Sequence, residues 1–266
     1  MKFYSEYKLK NESRFVNKIW SVDNSTQKTD IPNLKILPNG CFNIALLIGN
    51  GALITLKNKK YNFNQGIYLC SQFTEPVNLT LCKYSKVILI QIQASYFSYY
   101  LKNDFNNFVD DISESGSGNE LFNENIDLNN PLILQDVIDL TENHFLNFSK
   151  EHPEKNIVEQ AISKIALKKG NCKISDILKD SNHSERWLQL RFKKATGLTP
   201  KQYAKIIQFR DSIDKIAYDS SSDSLTSISY QSGFNDQSHF IKSFHQFLGI
   251  TPSKFNPKEF VLSFKK

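Results

Sequence analysis

The 266 residues carry 33 Lys+Arg against 27 Asp+Glu, a net charge of +6, with 40% hydrophobic and 23% charged residues. That balance suits a soluble globular chain with a real core, long enough for one large domain or two ordinary ones. No stretch approaches the roughly 18–20 apolar residues of a membrane helix, and Met1-Lys2-Phe3-Tyr4-Ser5-Glu6 leads into polar sequence without the apolar run of a secretory signal. The cysteines at 41, 70, 82 and 172 have neither zinc-site spacing nor the density of a disulfide scaffold, so the expectation is a cytoplasmic protein with no metal, no cofactor and no membrane partner. Charge is unevenly placed. Residues 1–150 hold 14 Lys+Arg against 15 Asp+Glu, and residues 151–266 hold 19 against 12, which points to a polyanion partner for the second half only.

In chain order, the first half reads as short apolar runs separated by turn residues. Leu34–Leu37 meets Pro38-Asn39-Gly40, Cys41–Ile48 runs into Gly49-Asn50-Gly51, and Ala52–Leu56, Gly66–Cys70, Val77–Leu81 and Lys86–Gln93 continue the pattern, as strands joined by tight turns do. After Ala94, the residues Tyr96, Phe97, Tyr100, Leu101 and Phe105 recur at helical spacing. Ser113–Asn119 is a loop by composition, and Leu132, Ile133, Val137, Leu140 and Phe145 predict a helix over 132–148. The polar, Pro-containing segment 149–156 predicts an interdomain linker. Beyond it the pattern is helical throughout, beginning with Ile157, Ala161, Ile165 and Ala166 and a stop at Gly170. The predicted fold is α+β with two domains: a β-rich, sandwich- or barrel-like domain with a few helices over 1–148, the linker 149–156, an all-α domain over 157–257, and a tail, 258–266.

The C-terminal half repeats itself. Gly197-Leu198-Thr199-Pro200 matches Gly249-Ile250-Thr251-Pro252 at an offset of 52, which also carries Leu188 to Phe240, Phe192 to Phe244 and Tyr203 to Phe255. Ile174 and Ile177 match Leu225 and Ile228 at an offset of 51, so one residue is inserted at the turn between. Each copy reads as a short helix, a turn, and a second helix started by Ser184 or Asp236 as N-cap. Gly233 supplies the left-handed turn residue in the second copy, and Asn182 is able to do so in the first. Leu188 with Phe192, and Phe240 with Phe244, are four apart and pin each second helix to a core. The other faces then offer Glu185, Arg186 and Gln189 in one copy, and Gln237, Ser238, His239 and Lys242 in the other. These are residue types that read base edges in a major groove. A connecting helix of about 18–20 residues spans roughly 27–30 Å, close to the ~34 Å between successive major-groove faces.

These residues resemble the DNA-binding domain of the AraC/XylS family of bacterial transcription regulators. The match is strongest over Gly233-Phe234-Asn235-Asp236-Gln237-Ser238-His239-Phe240-Ile241-Lys242-Ser243-Phe244 and its tail Gly249–Pro252, with the first copy matching through Ser184–Lys194 and Gly197–Pro200. The resemblance implies double-stranded DNA as partner and RNA polymerase as a second partner for an activator. It also implies base reading by Glu185, Arg186, Gln189, Gln237, Ser238, His239 and Lys242. Fainter likeness in Leu37-Pro38-Asn39-Gly40-Cys41 and the strands after it implies a sensor domain that takes a small-molecule effector or forms a homodimer.

Blander readings stand beside these. Lys193, Lys194, Lys201 and Lys205 either neutralise phosphates or form a solvated face. Cys41, Cys70 and Cys82 are expected as small buried hydrophobes rather than redox sensors, and Trp187 as a packing residue. Tyr61, Phe63, Tyr68, Phe73 and Tyr84 either line a ligand pocket or belong to ordinary core. His144 and His152 have no partner at ligand spacing and are expected at the surface. No Gly-rich phosphate loop, metal-ligand cluster or nucleophile elbow is found, so the chain is not expected to be an enzyme. The alternatives are a cryptic enzyme in the β-rich part or an interaction module with degenerate DNA-binding units.

Overall fold

The computed structural model describes residues 3–11, 13–99, 104–114, 126–130, 133–179, 181–218 and 224–261. Strands β1 (Tyr4–Tyr7), β2 (Val16–Asp23), β3 (Ile31–Ile36), β4 (Cys41–Gly49), β5 (Ala52–Leu56), β6 (Lys59–Phe63), β7 (Gly66–Cys70), β8 (Val77–Leu81), β9 (Ser85–Gln93) and β10 (Ile112–Glu114) come first. Helices α1 (Ile133–Glu151), α2 (Ile157–Leu167), α3 (Ile174–Leu178), α4 (Glu185–Thr196), α5 (Pro200–Tyr218), α6 (Leu225–Gln231) and α7 (Gln237–Leu248) follow, and then the two-residue strand β11 (Phe260–Val261). Among the described residues no helix is long and apolar enough to cross a membrane.

The strands form two sheets, in the orders β1-β2-β9-β4-β7-β10 and β11-β3-β8-β5-β6, and every pair is antiparallel except β11 on β3. Trp20, Val22, Leu47, Leu79, Leu81 and Leu89 fill the space between the sheets. The opposite face of the six-stranded sheet carries Ile19, Phe42, Ile44, Leu46, Ile88 and Ile90, which are covered by helices. Strands β4 and β9 are thus buried on both faces, and this is why they read as continuous apolar runs rather than as alternation. The protein is β-rich in its N-terminal part and helical in its C-terminal part, as its sequence pattern implies.

The two parts share one core. A single cluster joins Phe15, Phe42 and Tyr96 to Ile165, Phe192 and Tyr203. The segment expected as a free linker begins inside a helix, since α1 runs on to Glu151. The next residues are held down: the Arg14 guanidinium donates to the carbonyls of His152 and Pro153 and pairs with the buried Glu159 at 3.4 Å. His152 stacks on Phe148, with ring centroids 4.3 Å apart, and His144 Nε2 lies 2.8 Å from the Tyr96 hydroxyl. Neither histidine is the solvated surface residue its sequence context predicts, because Tyr96 and Tyr99 from the turn after β9 and Phe145 and Phe148 from α1 converge there.

Three further expectations differ. The helix after Ala94 is a short 3-10 turn, Ala94–Tyr99, and Phe105 lies in a loop; Tyr100 and Leu101 fall outside the described residues, as do Leu132 and most of the Ser113–Asn119 loop. Asn182 is not among the residues with left-handed backbone, whereas Gly233 is, at φ +76°. Residues 260 and 261 of the expected tail pair with Lys35 and Ile36 in parallel register, adding a strand to the N-terminal part; residues 262–266 are not among those described.

Candidate nucleic-acid interface and ligand cavity

Ser184 caps α4, its Oγ accepting from Trp187 N at 3.2 Å, and Asp236 caps α7, its carboxylate accepting from His239 N at 2.7 Å. Each cap satisfies one of the amides a helix start leaves without a partner. Leu188, Phe192, Phe240 and Phe244 are all fully buried. At 3.6 residues per turn, Arg186, Leu190 and Lys193 therefore stand on the far side of α4, and Ser238, Lys242 and His245 on the far side of α7. Glu185 and Gln237 sit at the helix starts beside the turns. Glu185, Arg186, Gln189, Gln237, Ser238, His239 and Lys242 are all exposed. Two of these already have neighbours within the second unit: Gln237 Oε1 accepts from the Thr226 hydroxyl at 3.0 Å, and the His239 ring meets Phe234 edge-on at 5.5 Å.

Helix α5 carries both units. Phe192 of the first packs on Tyr203 with ring centroids 5.5 Å apart, and Phe244 of the second on Phe209, also at 5.5 Å. Its 19 residues span about 28 Å. Lys193, Lys201 and Lys205 are exposed, while Lys194 is half-buried and its carbonyl accepts from Phe105 N at 2.9 Å. Trp187 is half-buried and stacks on His183, ring centroids 3.8 Å apart and planes 8° from parallel, with the Arg191 guanidinium 5.5 Å from its ring.

The N-terminal part grips both units. Gln72 Nε2 donates to the Thr196 carbonyl at the end of α4, 3.0 Å away and buried. At the β3–β4 turn Leu37 enters the core of the second unit beside Phe209, Ile213, Phe240 and Phe244. Three residues on, Gly40 lies so close to α5 that a Cβ there would stand 2.8 Å from the Tyr203 ring, and its φ of +74° is one that residues with side chains avoid. The turn motif noted in the sequence is a wedge driven between the units.

Between the two sheets lies a cavity with about 60 Å³ of space for water-sized molecules. Phe63, Tyr68 and Phe73 line it, but Tyr61 and Tyr84 do not. Tyr61 lies outside and stacks on Phe63, and Tyr84 is 45% exposed in the β8–β9 turn. Among the described residues the lining has no charged side chain, and its polar groups belong to Trp20, Asn43, Cys70 and Tyr68, whose hydroxyl donates to the Asn64 carbonyl. Trp20 Nε1 and Asn43 Oδ1 are buried there, and neither has a hydrogen-bond partner. Such groups cost free energy unless they are paired. Sequence offers a signal for Asn43, a polar residue inside an apolar run, and none for Trp20. All four cysteines are free, Cys41 and Cys70 buried and Cys82 and Cys172 half-buried, and burial pushes the Cys41 and Cys70 thiols up to about 12.

Comparison with known proteins matches residues 178–258 to the family described as a helix-turn-helix domain. The Msm operon regulatory protein of Streptococcus mutans is 35% identical over 83 residues, a stretch covering 31% of this chain and 29% of that protein's own length. Among solved structures, ToxT from Vibrio cholerae is similar with a TM-score of 0.44 at 16% identity, over 94% of this chain and 97% of that one. The AraC-like transcriptional activator CuxR is similar with a TM-score of 0.26 at 13% identity, over 76% and 73%. Residues 178–258, which hold the capped helices α4 and α7 with α5 between them, thus form a helix-turn-helix domain.

Proposed function

We propose that the protein is a sequence-specific, DNA-binding transcription regulator that sets two recognition helices, α4 and α7, into adjacent major grooves of one duplex face. The observation that carries this reading is the pair of capped helices. Each is pinned by two buried side chains and turns outward an exposed face of polar and basic residues, with Leu190 among them on α4, and one helix about 28 Å long joins their cores. The difference between that length and the ~34 Å groove repeat is met by the offsets of the two helices or by bending the DNA. Arg186 and Gln189 read bases in the first unit. Ser238 and Lys242 do so in the second, where Gln237 and His239 have intramolecular neighbours to leave. Lys193, Lys201 and Lys205 neutralise phosphates, and no catalytic role is assigned.

Selection of bound duplexes from a random-sequence pool by the full-length chain tests the reading. Arg186→Ala is expected to cost about 1–3 kcal/mol and relax one base pair, while Lys205→Ala weakens all duplexes alike and lowers the salt slope by about 0.9. Equal weakening of every duplex by Arg186→Ala would remove the base-reading role.

The cavity supports a second element of the reading, control by a small molecule. Its occupant is small, mainly apolar and uncharged, accepts from Trp20 Nε1 and donates to Asn43 Oδ1; a carboxylate would meet no cation there and would carry a heavy desolvation cost. The path to the DNA-binding part is short, since Ile36 of the cavity wall precedes Leu37 of the second unit's core. A homodimer formed through the β-rich part, and RNA polymerase where the effect is activation, complete the partners; light scattering on the full-length chain tests the first.

A further inference from the structure

Leu190 is 63% exposed, and among the described residues it is the one large apolar side chain so exposed on either recognition helix. It sits at the middle of the outward face of α4, one turn from Arg186 and three residues from Lys193. The 52-residue offset of the repeat places Lys242 at the corresponding position of α7. We propose that Leu190 is a specificity-determining residue of the first unit, packing on the C5-methyl group of a thymine in the major groove.

This inference rests on the DNA-binding reading and deepens it. Its basis is the chemistry surrounding the leucine. Exposed Arg186, Gln189 and Lys193 flank it, and its apolar neighbour along the helix, Trp187, is half-buried and stacked on His183, so the apolar surface around Leu190 is too small for a protein partner. The same flanking cations complement phosphates on both sides of a groove. The thymine methyl is the apolar group that a base pair offers in the major groove, and apolar side chains read it by contact. The second unit, with Lys242 at this position, lacks that contact and is expected to take an acceptor such as guanine O6 or N7, or a phosphate. The two half-sites therefore differ in kind: one depends on a methyl group and the other does not.

The test uses the full-length chain and the duplex it selects from a random pool, with each thymine replaced in turn by deoxyuridine, which lacks only the methyl group. At one thymine in the half-site protected by α4, the wild-type protein is expected to lose about fourfold in affinity, the value for burial of one methyl group. Leu190→Ala is expected to bind the parent duplex about that much more weakly and to be indifferent to the same replacement. Leu190→Arg is expected to shift the preferred base there from thymine to guanine. An unchanged thermal midpoint for each variant confirms that an exposed side chain was altered without loss of fold. Full sensitivity to the missing methyl in Leu190→Ala, or no sensitive thymine in the wild type, would overturn the assignment while leaving DNA binding intact. Failure to select any sequence would overturn the DNA-binding reading and this inference with it.

Discussion

Truncating Leu37 to Ala tests whether the N-terminal part completes the core of the second helix-turn-helix unit. Leu37 is 2% exposed and lies with Phe209, Ile213, Phe234, Phe240 and Phe244, more than 170 residues away in sequence. The substitution removes three carbon groups, about 2.4 kcal/mol at ~0.8 kcal/mol per buried methylene. The cavity left behind raises the cost to about 3–4 kcal/mol, within the range for buried Leu→Ala changes. For a chain of this size that lowers the thermal midpoint by roughly 6–15 °C. Leu53→Ala, the same change at a side chain 48% exposed, is the control and stays within about 0.5 kcal/mol of wild type. Circular dichroism reads the midpoint, and amide hydrogen exchange locates the loosening, which is expected in α7 before the central strands β4 and β9. A Leu37→Ala midpoint no lower than that of Leu53→Ala would refute the shared core, whatever the distances suggest.

Two further outcomes follow from the interior of the β-rich part. Asn43→Leu removes a buried acceptor that no protein group satisfies and is expected to raise stability by about 1–3 kcal/mol while abolishing any effect of a bound small molecule on DNA affinity; a lower thermal midpoint than wild type would show that Asn43 is paired in the folded protein. Because burial disfavours the thiolate of Cys41 and Cys70 and pushes both thiols up, both stay protonated and unreactive at pH 8. Ellman's reagent is expected to count two ready thiols, Cys82 and Cys172, in the native protein and four in denaturant, and four ready thiols without denaturant would contradict the burial.

Much of this architecture is legible in the residues alone, and the exceptions have physical causes. The edges of β5, β7 and β8 fall where the sequence places them because turn residues bracket each apolar run. Strand β2 is harder to see, since its buried stretch Ile19-Trp20-Ser21-Val22 neither alternates nor stays apolar once one side faces the helices and the other the second sheet. Strand β6, Lys59-Lys60-Tyr61-Asn62-Phe63, lies at a sheet edge and is mostly polar. Both repeats are readable from an offset of 52 that falls to 51 before the turn, because each unit buries its own pair of side chains. Contacts between the parts are not. Local periodicity shows that Leu37 and Phe260 seek burial but not that they seek it in the same place. Likewise the linker's composition describes residues that meet water, whereas Arg14 and Tyr99 reach its carbonyls from elsewhere in the chain.

The parallel pair β3–β11 also bears on how the chain is made. From Ile36 to Phe260 is 224 positions, and at about 5–20 residues per second a ribosome takes roughly 10 to 45 s to supply them. Throughout that interval the outer side of β3 has no partner and is a template on which another chain could add a strand. The strand carries its own guards against this: Pro32 withholds an amide, the register breaks between Ile31 and Leu34, and Lys35 places a charge on the rim. Once β11 arrives, Lys35 pairs with Glu259 at 2.9 Å and its ammonium lies 5.2 Å from the centre of the Phe260 ring. The lysine that discourages strangers during synthesis thus becomes the contact that recognises the proper strand.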